Sequence, residues 1–290
     1  MLKEIINMRA VINLDHDFKP FGKEFTELEY QKFSFPSGCE PHIKIIEKNW
    51  MMGNNEVIIT TRIKSSEDLM ILLLATDALK RLGFTYIKLF IPYLPFARQD
   101  RVMVSGEPLS VKVLANIINS QEYTKVAVYD VHSEVSLALI NNCDPVSNHN
   151  FIKEVLDDKK DYYIVSPDAG AYKKIFKAAQ FVGYTDTIVL CNKIRDVKTG
   201  QILNMTCDVN DLHGKDVYII DDICDGGGTF IGLADKLKEN NAGKVNLIVS
   251  HGIFSKGIEA LHNIDHIYTT NSFSDLDVNK KLTQIKLEFK

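Results

Sequence analysis

No Cys-x-x-Cys pair, no long apolar run and no excess of basic charge occur in this chain, and each absence removes a class of function. The five cysteines (Cys39, Cys143, Cys191, Cys207 and Cys224) are scattered and odd in number. Neither a disulfide framework nor a zinc site is expected from them, and a reducing, cytoplasmic setting is. The longest apolar runs, such as 69–75, fall far short of the roughly 20 residues that span a bilayer. Residues 1–10 also lack the apolar stretch of a signal peptide, so no membrane partner is expected. A net charge of −4 leaves no broad basic surface to neutralise a nucleic-acid backbone, so any local basic patch serves a small anion. Low-complexity tracts and short-period repeats are missing too. What is present is an ordinary balance, 45% hydrophobic and 25% charged over 290 residues, ample for one large or two ordinary α/β domains.

Short apolar runs alternate with amphipathic stretches. Strands are expected at 10–14, 57–61, 87–91, 125–129, 163–165, 187–191, 217–220, 245–250 and 266–269, with a final one at 283–289. Helices are expected at 66–81, 109–120, 150–157, 169–179, 229–240 and 256–262. Such alternation implies βαβ units and parallel sheets. Both halves repeat the order, and the polar stretch from Asn141 to Asn148 offers a boundary, giving domains 1–146 and 147–290.

The most informative segment is Tyr218-Ile-Ile-Asp-Asp-Ile-Cys-Asp-Gly-Gly-Gly-Thr-Phe230. A β-branched run ends in Asp221 and Asp222, a third carboxylate follows at Asp225, and Gly226, Gly227, Gly228 and Thr229 open an amphipathic stretch. Glycines leave backbone N–H groups unobstructed, and a helix N-terminus carries partial positive charge, so the turn suits a phosphate. The carboxylates would repel that phosphate unless they face something else. Ribose hydroxyls or a bridging Mg²⁺ are the natural partners, and the segment therefore asks for a phosphorylated sugar.

This segment resembles the signature of phosphoribosyl-diphosphate-binding proteins, and a second block narrows the resemblance. Ile91-Pro-Tyr-Leu-Pro-Phe-Ala-Arg-Gln-Asp-Arg101, followed by Gly106-Glu-Pro-Leu-Ser110, is similar to the motif of the ribose-phosphate diphosphokinase (PRPP synthetase) family, which phosphoribosyltransferases lack. Tyr129-Asp-Val-His-Ser133, Val165-Ser-Pro-Asp-Ala-Gly170 and Ser250-His-Gly-Ile-Phe-Ser255 match in family order. The resemblance implies an α/β fold of two similar phosphoribosyltransferase-like domains, each a mainly parallel sheet flanked by helices. It also implies an Mg²⁺-dependent enzyme of nucleotide biosynthesis that moves the diphosphoryl group of ATP to ribose 5-phosphate.

Carried over residue by residue, the resemblance puts Arg98, Gln99, Asp100 and Arg101 at the ATP phosphates, and Phe35 and Glu40 at the adenine. Arg62, Ser65 and Ser66 fall in the diphosphate loop, and Asp130, His132 and Asp168 flank the Mg²⁺-triphosphate. Lys193 and Arg195 fall in a mobile catalytic loop and, with Arg98 and His132, form the catalytic set. Asp221 and Asp222 hold ribose hydroxyls, while Asp225 to Thr229 cradle the 5-phosphate.

Three departures stand out. Phe35-Pro-Ser-Gly-Cys-Glu40 replaces the family's Phe-x-Asp-Gly-Glu, and Gly226 stands where a threonine is usual. That glycine removes a hydroxyl donor and opens space, so an acceptor substituted on its 5-phosphate, such as ADP-ribose, is an alternative to ribose 5-phosphate. The region 15–30 lacks a clean helical stripe, which leads to an expected homo-oligomer, a dimer or a hexamer, with contacts rebuilt. A non-catalytic regulatory relative and a phosphoribosyltransferase are the rival readings. The first leaves the Lys193/Arg195 pair unexplained, and the second leaves Phe96 to Arg101 unexplained.

Overall fold

A computed structural model describes residues 9–35, 38, 40–47, 55–195 and 202–289. The chain divides into two compact units, Met1–Val146 with Leu287–Lys290, and Ser147–Lys286. Among the described residues no helix is long and apolar enough to cross a membrane.

The first unit holds β1 (Arg9–Asn13), β2 (Phe25–Glu27), β3 (Tyr30–Phe35), β4 (Glu40–Ile45), β5 (Glu56–Thr60), α1 (Ser66–Arg81), β6 (Tyr86–Ile91), α2 (Ser110–Asn119), β7 (Lys125–Tyr129), α3 (Glu134–Leu139) and β8 (Cys143–Val146). Six strands form a wholly parallel sheet in the order β2-β1-β5-β6-β7-β8, and β3 pairs with β4 as a separate antiparallel hairpin. The central strands are apolar runs buried on both faces, as parallel sheets require. Helix α1 begins at a reciprocal cap: Ser65 Oγ accepts from the Asp68 N–H while Asp68 accepts from the Ser65 N–H. Its Ile71, Leu72, Ala75 and Leu79 then face the core at helical spacing.

The second unit holds α4 (His149–Leu156), β9 (Tyr162–Ser166), α5 (Ala169–Val182), β10 (Val189–Arg195), β11 (Ile202–Cys207), β12 (Asp216–Cys224), α6 (Gly228–Glu239), β13 (Val245–Gly252), β14 (His266–Thr270) and β15 (Leu282–Ile285). The sheet order is β11-β10-β9-β12-β13-β14-β15, parallel except where β10 meets β11. After β9 the chain moves outward to β10, then returns to β12 on the opposite side. The strand order therefore reverses between β9 and β12, the kind of place where open α/β sheets bind ligands. β13 is buried at all eight residues and anchors the centre.

Several expectations change. The stretch 256–262 is no helix but holds a 3-10 turn at Ile258–Ala260, because Gly257 takes φ 76° and Phe254 φ 47°. The polar boundary stretch contains β8, and α3 was not expected. The expected last strand divides: Leu282–Ile285 pairs with β14, whereas Leu287 and Phe289 pack with Phe18, Phe21 and Phe90 of the first unit. Cys191 and Cys207, expected to be unpaired, lie opposite one another in the antiparallel β10–β11 register and form a disulfide. Their sixteen-residue separation gave no sign of this because the hairpin itself was not anticipated.

Candidate active site

β12 carries its apolar run to Ile220 and then continues as strand through Asp221, Asp222 and Cys224. The two carboxylates thus sit on rigid backbone beside the β9–β12 reversal. Asp222 is 8% exposed, and its N–H donates to Asp221 Oδ1 at 2.9 Å. Burial first, then the charge of Asp222 and, more weakly, that of Asp168, push the Asp221 carboxyl well above the usual carboxylate range. Hydroxyl donors or a cation would relieve this crowding of negative charge. Asp168 enters the same field from the end of β9, where its side chain also caps α5 by accepting from the Ala171 N–H at 2.9 Å.

The three glycines after Asp225 do different work. Gly227 is the N-cap of α6 with φ 74°, and a Cβ on it would collide with Leu261 Cδ2. Only glycine fits there. Gly226 and Gly228 have no such need: a Cβ at Gly226 would meet Lys256 Cε at an ordinary 3.5 Å, and one at Gly228 would meet nothing within 4 Å. Their bare backbone leaves N–H groups open at a helix start that no side chain caps, the arrangement that receives an anion. Gly227→Ala should therefore cost about 2–4 kcal/mol of stability in urea unfolding, from the left-handed backbone and the clash together. Gly228→Ala should cost less than about 1 kcal/mol; equal destabilisation by the two would contradict this division.

In the first unit, the loop after β6 is internally braced. The Gln99 N–H donates to the Phe96 carbonyl at 2.9 Å, Ser110 Oγ donates to Gln99 Oε1, and Arg101 Nε donates to Asp100 Oδ1 at 3.1 Å. Burial acts to raise the Asp100 carboxyl, but the Arg101 hydrogen bond and the nearby charges of Arg101 and His132 hold it below the usual range. The Asp100–Arg101 loop and the β7 loop bearing His132 are thus brought together. Arg101 remains 73% exposed in its side chain. Asp130 ends β7 with φ 44°, is buried, and its N–H donates to the Val146 carbonyl at 2.8 Å.

Asp130 and His132 belong to the first unit and Asp168 to the second. No group of three His, Cys, Asp or Glu side chains placed to hold a metal occurs among the described residues.

Arg62 is engaged within the first unit. Its guanidinium is 2% exposed, donates to Asp15 Oδ2 at 2.7 Å and lies 5.2 Å over the Phe18 ring, so it is committed inside the unit. Ser65 serves as the cap of α1, and Ser66 is its first residue. Phe35, 47% exposed, pairs in register with Glu40 across the β3–β4 hairpin and contacts Phe33 and His42 at ring distances of 5.5 and 5.6 Å. Pro36, Ser37 and Cys39 lie outside the described residues. The backbone of Lys193 pairs with Met205 and that of Arg195 with Ile202, so the expected catalytic loop is strand as far as Arg195, and 196–201 lie outside the described residues.

Sequence reasoning passed over Asn148 and Lys174, which line a small crevice against Asp221 and Asp222. Lys174 shares one helical face of α5 with Ala171, Ile175 and Ala178, which was the available signal.

Comparison with known proteins identifies the family. Residues 25–121 match the N-terminal domain of ribose phosphate pyrophosphokinase, and residues 148–290 match the phosphoribosyl transferase domain. A ribose-phosphate pyrophosphokinase of Pyrococcus furiosus is 31% identical over 252 residues, 85% of this chain and 86% of that one. That of Mycoplasmopsis pulmonis is 30% identical over 238 residues, 80% of this chain and 73% of its own length. A crystal structure of phosphoribosylpyrophosphate synthetase from Mycobacterium smegmatis shares the fold with a TM-score of 0.77 at 20% identity, covering 96% of this chain and 94% of that one. With motifs, sheet topology and relatives in accord, the chain belongs to the ribose-phosphate pyrophosphokinase family.

Proposed function

We propose that this enzyme transfers the β,γ-diphosphoryl group of ATP to the C1 hydroxyl of ribose 5-phosphate. The hydroxyl oxygen attacks the β-phosphorus, the α–β bridging bond breaks, AMP leaves and the hydroxyl proton passes to solvent. The observation that carries this reading is the pairing of the crowded Asp221/Asp222 carboxylates with an uncapped glycine turn on one β12–α6 connection. Carboxylates accept hydrogen bonds from the ribose hydroxyls, and the turn's N–H groups take the 5-phosphate. Arg98, Gln99 and Arg101 would bind the triphosphate and Phe35 would stack on the base. Lys193 and Arg195 would close on the charge that develops as the diphosphoryl group moves.

Mg²⁺ keeps most of its waters and binds mainly through substrate phosphates, which fits a fold whose described residues offer oxygen donors but no closed cage. Asp130 and His132 of the first unit would be its candidate protein partners. When bound, the ion would neutralise charge along the phosphate chain. A cytoplasmic location and a homo-oligomer, dimer or hexamer, belong to the same proposal.

A second reading rests on Gly226. Neither its φ nor its surroundings demand glycine, so the space beside the 5-phosphate is open by choice of residue. An acceptor substituted there, such as ADP-ribose, would fit the same chemistry, although the comparisons lend it no support. Purified enzyme with ATP and Mg²⁺ should release AMP on adding ribose 5-phosphate, with a C1-diphosphate appearing by phosphorus NMR. Release only with ADP-ribose would transfer the assignment to the second reading, and release with neither would refute both.

A further inference from the structure

The glycine turn has a charge problem. Its formal charges, Asp221, Asp222 and Asp225, are all negative, and the acceptor placed there on the reading above brings a phosphate dianion. Backbone N–H groups and a helix N-terminus supply only partial charge, equivalent to roughly half an elementary unit. Lys174 lies on α5 beside Asp221 and Asp222, on the crevice rather than on the turn. A full positive charge at the phosphate has to come from another element.

The segment after β13 provides one. Cys224, the last residue of β12, accepts from the N–H groups of both Ile253 and Phe254, at 2.9 and 3.1 Å. This fastens the segment to the strand end one residue before Asp225. Phe254 then takes φ 47°, Gly257 takes φ 76°, and the Gly257 N–H closes the turn on the Phe254 carbonyl at 2.8 Å. Lys256 is carried on that turn, exposed, with its stem crossing Gly226: Cε and Cδ lie 3.5 and 3.7 Å from where a Cβ on Gly226 would stand. Among the described residues no carboxylate pairs with its ammonium. A lysine held by two backbone anchors over the barest part of an anion cradle, with its charge uncommitted, is placed for a ligand.

We propose that Lys256 binds the acceptor's 5-phosphate and helps set acceptor specificity. A Cβ on Gly226 would still stand at ordinary contact distance from the lysine stem, but a side chain extending beyond Cβ would compete with it for the space over the turn. This rests on the ribose-phosphate reading of the turn and adds a binding residue from outside the β12–α6 segment.

The test uses the full chain with ATP and Mg²⁺ and whichever of ribose 5-phosphate or ADP-ribose the wild type converts. Lys256→Ala should raise the acceptor KM about ten- to hundredfold, the scale of a lost charge-assisted hydrogen bond. It should leave kcat within about twofold and the KM for ATP unchanged. Lys256→Arg should restore most of the affinity, and the salt dependence of acceptor binding should be shallower in Lys256→Ala than in wild type. Calorimetric titration of the acceptor without turnover should show the same loss. Gly226→Thr should raise the acceptor KM in wild type but add little in the Lys256→Ala background. A Lys256→Ala enzyme with wild-type acceptor KM and dissociation constant would overturn the proposal and leave the reaction standing. A wild type that binds and converts neither acceptor would overturn both.

Discussion

Lys193→Ala should lower kcat by about two to three orders of magnitude while changing the acceptor KM less than about threefold, as expected for a cation that acts mainly on developing charge. Diphosphoryl transfer leaves little covalent work for the protein, so catalysis rests on orientation and on cations that meet the departing α-phosphate and the moving group. On the proposed reading, Lys193 and Arg195 of β10 would supply such cations. β10 and β11 are tied at one end by Cys191–Cys207, and the backbone of Lys193 pairs with that of Met205 and that of Arg195 with Ile202, with an irregularity between Ile194 and Arg195. Single-turnover measurements by rapid quench, at saturating acceptor, would isolate the chemical step. A Lys193→Ala enzyme whose loss lay equally in kcat and acceptor affinity would assign the lysine to ground-state binding instead. Arg195→Ala should behave alike, and the double variant should lose less than the product of the two if they act on the same oxygens.

How much of this was legible beforehand depended on whether the signal was local. Helix α1 was legible to the residue because Ser65 and Asp68 write its start and the apolar spacing runs on unbroken to Leu79. The Asp221–Thr229 connection was legible because a β-branched run, carboxylates and glycines occur in that order within one short segment. By contrast, the β10–β11 hairpin pairs residues up to sixteen apart across a polar stretch, and nothing in Asn192 to Arg195 distinguishes strand from turn without its partner. The partner of Arg62, Asp15, lies 47 residues earlier, and nothing next to either residue signals the pair. The nearness of Lys256 to Gly226 was silent for the same reason, since it depends on the docking of the Ile253 and Phe254 amides on the Cys224 carbonyl. Local grammar gave most of the elements and the strand–glycine turn–helix connection, while the long-range pairings lie beyond what neighbouring residues can signal.

Asp221→Asn should stabilise the ligand-free protein and at the same time disable it. Asp221 keeps its proton to higher pH when folded than when unfolded, because burial and the charges of Asp222 and Asp168 oppose ionisation. The folded state therefore binds more protons than the unfolded state between the ordinary carboxylate value, about 4, and the raised one. Stability falls as pH rises through that window, and the full penalty is in place above it. Asparagine carries no such penalty yet retains an Oδ1 to accept from the Asp222 N–H, so the 2.9 Å hydrogen bond survives. Urea unfolding should show wild type and variant converging near pH 4 and separating as pH rises, with the variant ahead by about 1–3 kcal/mol at pH 8, a shift of several degrees in Tm. The same change replaces a charged acceptor of ribose hydroxyls by an amide with one donor end, and kcat/KM for the acceptor should fall about a hundredfold or more. If Asp221 binds the ribose hydroxyls as proposed, saturating acceptor should raise the wild-type midpoint much more than that of the variant. A stability gap that did not change with pH would refute the raised Asp221 carboxyl, and a variant that bound acceptor normally would remove the carboxylate from the ribose subsite.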